Sequence, residues 1–156
     1  MPPSQSPYRA LSSARRIQLV TQAIAARREA RMIYIQRVVS RGGGFRAVTL
    51  QSWAPERLAR EVVRLNAESA TDELELLQML YVDLEPAIQI TFLDAAGVKH
   101  EEGRIADELE PPYADAEAVK RGAEAVKAAH GDDGMHYLRT IARYGQDVWP
   151  GISDQL

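Results

Sequence analysis

Between residues 71 and 96 the apolar side chains recur at the spacing of a helix. Leu77, Leu80, Tyr81, Leu84, Ile88 and Phe92 fall on one face, and Glu75, Gln78, Glu85 and Gln89 form a narrow polar stripe. A helix with so wide an apolar face must be surrounded by other elements that bury it. Alanine is abundant and aromatics make up only 6% of the chain, which favours close-packed helices over a β-sandwich as that surround. The helical phase carries through Pro86, so 71–96 reads as one kinked helix or two nearly collinear ones. Thr71 is expected to cap it, with Asp72 and Glu73 at the positive end of its dipole. Gly97 is expected to end it in the left-handed conformation, with Val98 touching Leu93.

The flanking sequence is punctuated in the same way. Residues 1–11 are rich in proline and serine and read as a tail. Ser12 or Ser13 is the expected cap of a long first helix that meets no breaker before Arg41 and stops at Gly42-Gly43-Gly44. Residues 45–51 are ambiguous, because Val48 and Leu50 alternate with polar neighbours over too short a run for a strand. Pro55 suits the first turn of a helix whose stripe is Leu58, Val62 and Leu65, with Ala59 at its edge. In 98–114, Ile105 and Leu109 are compatible with a short helix ended by Pro111-Pro112. Asp115 then caps a helix to His130, Gly131 stops it, and a further helix from Asp132 or Asp133 reaches Tyr144 before Gly145. Trp149 and Ile152 make the last segment apolar enough to pack back. The expected fold is an all-α bundle of five or six helices, with a long N-terminal helix and a kinked central one. At 156 residues it is expected as one helical domain over 12–146, between tails 1–11 and 147–156.

The absence of cysteine excludes disulfides, thiolate metal sites and cysteine nucleophiles. The first residues lack a basic stretch followed by an apolar one, and no run of about 18 apolar residues exists, so the expectation is a cytoplasmic protein without membrane insertion.

Charge divides the chain. Residues 1–66 hold twelve arginines and three acids, a net +9, whereas residues 67–156 hold seven bases and nineteen acids, a net −12. Opposite charge at this scale must be solvated, paired internally or offered to a partner. In heptad phase from Ile17, Arg27 and Arg31 interrupt a seam of Ile17, Val20, Ile24, Tyr34 and Val38, with Arg28 beside them. An arginine there needs a carboxylate, a phosphate or water. Arg57, Arg60 and Arg64 share one face of the following helix. These six arginines are the candidate partner-binding residues.

No other motif carries chemistry. Residues 67–98 hold seven acids and no base, which suits pairing with the basic helices or with a basic partner. A di-metal carboxylate site would need Glu-x-x-His repeats, and the nearest match is Asp133-Gly134-Met135-His136. His100 beside Glu101 and Glu102 has the groups for acid–base work, but such neighbours are common on surfaces. His130 lies where the helix dipole favours it without any function. Trp53 and Trp149 are expected as anchors of the core or the tail. No catalytic residue, cofactor or metal ligand is assigned. The expected function is that of a non-enzymatic helical interaction protein, a homo-oligomer or an accessory subunit, with basic helices meeting acidic surfaces. The alternative is a nucleic-acid-binding protein that contacts phosphates through the same arginines.

Overall fold

The computed structural model describes residues 5–156, so the first four residues of the expected tail lie outside the description. The described chain is mostly helical, with one small hairpin. It forms two compact units, the first ending at Leu77 and the second running from Gln78 to Leu156.

The first unit contains α1 (Ser13–Ala26), α2 (Arg28–Ser40), α3 (Ala47–Gln51), α4 (Pro55–Arg64) and nearly all of α5 (Ala70–Gln78). Ser12 caps α1, its hydroxyl accepting from the Arg15 N–H at 3.1 Å. The single long helix expected over 12–41 is instead two, because Arg27 is extended at φ −138° and ψ 123°. Packing explains the break. Both α1 and α2 lie against α4, which spans about 15 Å, whereas a straight helix over 13–40 would run roughly 42 Å past it. Bending at Arg27 lets Leu19, Val20, Ala23 and Ile24 of α1 and Tyr34, Ile35 and Val38 of α2 share one core with Leu58, Ala59, Val62 and Val63 of α4.

The end of α2 is a Schellman turn. The N–H of Gly43 reaches the Val38 carbonyl and that of Gly42, at φ 75°, reaches the Val39 carbonyl, each at 3.2 Å. A Cβ on Gly43 would sit 3.0 Å from Val38 Cγ1 and 3.3 Å from Leu65 Cδ1, so the turn is also pressed against α4's end. The ambiguous stretch 45–51 forms the short α3, which packs on α2. The cap of α5 is Ser69 rather than the expected Thr71. Ser69 Oγ accepts from the Asp72 N–H at 3.1 Å and Asp72 returns the bond to the Ser69 N–H at 2.8 Å. This reciprocal pair satisfies two N–H groups where a lone Thr71 hydroxyl would satisfy one.

The second unit opens on a π-helical segment, Met79–Leu84, closed by the Glu85 N–H donating to the Leu80 carbonyl at 2.7 Å. Pro86 follows. A residue before proline is pushed out of the helical region, and Glu85 sits at φ −132°, ψ 64°. The wider turn shifts the helical phase, so Leu84, expected on the apolar face, is exposed, while Leu80, Tyr81, Ile88 and Phe92 are buried. Helix α6 (Pro86–Ala96) ends as expected, with Gly97 at φ 71° and the Val98 N–H on the Leu93 carbonyl at 2.9 Å.

The short helix expected around Ile105 is instead a hairpin. β1 (His100–Glu101) and β2 (Arg104–Ile105) are antiparallel, pairing His100 with Ile105 and Glu101 with Arg104. Glu102 and Gly103 both take positive φ, 51° and 89°, which is the type I′ geometry a two-residue hairpin needs. Helix α7 (Ala116–Tyr144) starts at Asp115, whose carboxylate accepts from the Ala118 N–H at 2.8 Å. It breaks at Gly131 (φ 53°, ψ −127°) and ends at Gly145. A 3-10 turn (Ile152–Gln155) packs on α7, and Trp149 stands edge-on to Phe92 with centroids 5.0 Å apart.

Helices α6 and α7 approach closely at Gly122. A Cβ there would lie 2.9 Å from the Phe92 ring and 3.0 Å from the Phe92 carbonyl oxygen. Gly122→Val is therefore expected to destabilise the second unit by about 1–3 kcal/mol, despite the backbone entropy it removes. Urea unfolding followed by Trp149 fluorescence measures this, and an unchanged midpoint would contradict the close packing.

Candidate docking face of the first unit

Among the first 77 residues, twelve bases face seven acids, a net +5, and the remaining residues carry −8. Much of the basic charge in the first unit is matched inside it. Glu68, with its side chain fully buried, accepts from the Tyr8 hydroxyl at 2.5 Å. The guanidiniums of Arg9 and Arg16 each lie 3.5 Å from its carboxylate. Arg9 also donates to the Glu68 carbonyl at 2.9 Å, and both arginines donate to Asn66 Oδ1, at 3.0 and 3.1 Å. Tyr8, in the segment expected as a tail, is fully buried. Burial first, then the hydrogen bond to Glu68 and its charge, push its phenol well above the ordinary tyrosine range. Glu73 accepts from Ser6 Oγ at 2.5 Å and lies 3.4 Å from Arg9 Nε. Arg37 pairs with Asp72 and lies over the Tyr34 ring, 5.7 Å from its centroid. Burial pushes the Tyr34 phenol up to about 12.

The six candidate arginines divide unequally. Arg27 meets Glu75 at 3.3 Å. Arg31 donates to the carbonyls of Gln51 and Trp53, at 2.8 and 2.5 Å, and so closes the C-terminal end of α3. Arg60 pairs with Glu56 at 2.6 Å one turn away, and Arg64 pairs with Glu61. Arg57 has no ion pair among the described residues, but its guanidinium covers the Trp53 ring at 4.1 Å. Arg28, Arg41 and Arg46 are exposed and meet no carboxylate among the described residues. Arg28 opens α2, where the positive end of the helix dipole disfavours a cation. Only an observed break at Arg27 reveals that position, since in a continuous helix Arg28 would sit mid-turn.

The exposed apolar side chains gather in the same place. Of the eight large ones among the described residues, five are Met32, Ile33, Val39, Phe45 and Val48. Helix α2 buries Tyr34, Ile35 and Val38 yet leaves Met32 51% and Val39 42% exposed, so its apolar face extends beyond the part that is packed. Arg28, Met32 and Val39 lie along one edge of α2, beside the buried Ile35. α3, packed on α2, adds Val48, 78% exposed. Phe45 is turned edge-on to Trp53, with centroids 4.7 Å apart. Periodicity marked the apolar face of α2, but which of its residues stay exposed carries no separate sequence signal, because an outward-facing valine reads the same as an inward-facing one.

The histidines of the second unit have structural partners. His100 Nδ1 accepts from the Gly103 N–H at 3.0 Å, which places the ring proton on Nε2, 2.5 Å from Asp94 Oδ1. It thus ties the hairpin to α6, and its hydrogen bonds go to neither Glu101 nor Glu102. His130 Nε2 lies 2.9 Å from Thr91 Oγ1, and His136 Nδ1 meets the Tyr81 hydroxyl. Among the described residues no three metal-binding side chains converge, and no helix is long and apolar enough to cross a membrane. No family model matches this chain, and neither does any curated protein or solved structure.

Proposed function

We propose that the chain is a non-enzymatic helical interaction protein, an accessory subunit that engages another protein through the outer face of α2 and α3. The observation that supports this is the set of exposed apolar side chains on α2 and α3, Met32, Ile33, Val39 and Val48, in the stretch of chain that also holds Arg28, Arg41 and Arg46, none of which meets a carboxylate among the described residues. Single exposed apolar residues are ordinary on a protein surface. Several on one helix, rimmed by cations without counterparts, have the make-up of an interface with an apolar centre and a charged rim. The arginines would steer encounter and fix register, and the apolar stripe would hold the complex. Of the six candidate partner-binding arginines, Arg28 and Arg57 remain open to this role, while Arg27, Arg31, Arg60 and Arg64 have partners in their own unit. Pairing of this face with the same face of a second copy would oppose arginine to arginine, so a different acidic surface suits it better.

The test compares the full chain with Met32→Asp/Val39→Asp, both exposed positions whose change leaves the core alone. A protein that co-purifies with the wild type, once isolated and added back, is expected to bind the variant about thirtyfold more weakly, roughly 2 kcal/mol. Indifference to the variant would overturn the proposal. So would salt-steep binding to duplex DNA that survives in the variant, since that is the signature of phosphate contacts.

A further inference from the structure

We infer that this chain also pairs with a second copy of itself by exchange: the helix bent at Arg27 within one chain straightens, and α1 of each copy packs on α4 of the other. A sharp break in a helix normally marks a proline, a glycine or a π bulge, and residues 13–40 contain no proline and no glycine. Residues 25–30 are alanine, arginine and glutamate, all good helix formers. Arg27 alone leaves the helical region, at φ −138° and ψ 123°. On either side of it the bonds are already helical, the Arg27 N–H reaching the Ala23 carbonyl at 3.1 Å and the Arg31 N–H the Arg27 carbonyl at 3.3 Å. Rotation at one residue therefore joins α1 to α2.

Straightening gains at the hinge and loses little elsewhere. Helix α2 opens without a side-chain cap. A continuous helix would give the N–H groups of Arg28, Glu29 and Ala30 the carbonyls of Ile24, Ala25 and Ala26. Glu29 is the one acid in that first turn, and Arg28 beside it opposes the dipole. Arg27 meets Glu75 at 3.3 Å in an exposed pair, which holds the bend weakly. What favours the bend is the burial of Leu19, Val20, Ala23 and Ile24 as α1 packs on α4. A second copy offers the same α4, so that core is re-formed between chains rather than given up. Tyr8, Arg9 and Arg16 travel with α1 and would close on Glu68 of the second copy. Val20, Ile24, Tyr34 and Val38 share one heptad phase across Arg27, so a straight helix keeps both buried stretches on one side. The exchange runs through α1 and α4, not through the exposed apolar side chains of α2 and α3.

The full chain, refolded from urea at high concentration, is resolved by size exclusion with light scattering. A dimer is expected that survives dilution in buffer and returns to monomer only in urea strong enough to unfold the first unit, because the exchanged helix must first leave its site. Arg27→Ala and Arg27→Gly both remove the pair with Glu75 at an exposed position. Glycine tolerates the extended hinge and alanine favours the helix. Their monomer–dimer constants are therefore expected about thirtyfold apart, with alanine the more dimeric, since each dimer contains two hinges. The chain has no cysteine, so Ala14→Cys/Ser40→Cys, at two exposed positions, takes a pair of spin labels. Refolded with excess unlabelled chain, it reports the distance within one chain. That distance is expected at about 39 Å in the dimer, the rise of a straight helix between the two positions, and shorter in the monomer. Absence of a dimer from the wild type and Arg27→Ala alike overturns the inference. So does a dimer that dissociates on dilution alone, an equal response to alanine and glycine, or one label distance in both species.

Discussion

Glu68→Ala is expected to destabilise the first unit by about 3–5 kcal/mol, the usual cost of removing one partner from a buried charge cluster. Glu68 has a fully buried side chain, and three groups converge on it: the Tyr8 hydroxyl at 2.5 Å and the guanidiniums of Arg9 and Arg16 at 3.5 Å. Alanine would leave a buried phenol without its acceptor. It would also leave Arg16, whose side chain is only 11% exposed, without its carboxylate. Tyr8→Phe removes one donor and keeps the charges matched, so its cost is expected nearer 2 kcal/mol, that of one hydrogen bond to a charged group. The chain has two tryptophans, Trp53 in the first unit and Trp149 in the second. In a Trp149→Phe background, urea unfolding read by Trp53 reports the first unit alone. A loss under about 1 kcal/mol for Glu68→Ala would mean that the cluster does not hold the N-terminal segment to the unit.

Raising the pH above 10 is expected to destabilise both units. Tyr8 and Tyr34 are buried in the first unit, and Tyr81 and Tyr137 in the second. For Tyr8, Tyr34 and Tyr137, burial is the largest cause that raises the phenol above its ordinary value of 10.0, with Tyr34 reaching about 12. A folded pKa above the unfolded one means that the unfolded chain releases the proton first. The stabilisation is therefore complete below pH 10 and is lost as pH rises towards the folded value. Each such tyrosine contributes about 1.4 kcal/mol of loss per pH unit in that window. Stability read by Trp53 should thus fall with rising pH in that window, and Tyr8→Phe should about halve that slope. Tyrosinate absorbance is expected to rise together with unfolding. If it rises while both tryptophan signals remain native, the phenols are not protected.

The helix ends were legible wherever local chemistry sets them. Ser12 and Asp115 cap, Pro55 opens α4, Gly97 and Gly131 stop, and Gly145 closes, each by an interaction that reaches only a few residues along the chain. Even the capping pair of Ser69 and Asp72 was within reach, since it is a serine followed three residues later by an acid. The hairpin at 100–105 was harder, because its turn is Glu102-Gly103 rather than the usual Asn-Gly or Asp-Gly, and its strands are two residues each. The break at Arg27 and the π segment before Pro86 had no local signature of their exact form. Each places two stretches of one apolar pattern where a straight helix would not.

The docking face shows the same division. Clustering of arginine in residues 1–66 was plain from composition, but which arginines remain without a carboxylate was not. Much of the ion pairing joins residues dozens of positions apart, such as Arg37 with Asp72 and Arg9 with Glu68. Nothing in a helical repeat distinguishes Arg27, which meets Glu75, from Arg28, which meets no carboxylate among the described residues.

By itself, the sequence determined that the chain is mostly helical, where several helices begin or end, and that opposite charge is unevenly distributed along it. Those properties depend on backbone dihedrals, caps and counts, all of which act locally or not at all on geometry. Only the tertiary structure decided that the N-terminal helix bends at Arg27, that Glu68 is buried against Tyr8, Arg9 and Arg16, and that α2 keeps Met32 and Val39 exposed. Burial and ion pairing depend on which surfaces meet, and one helix placed against another decides that for every residue on the shared face at once.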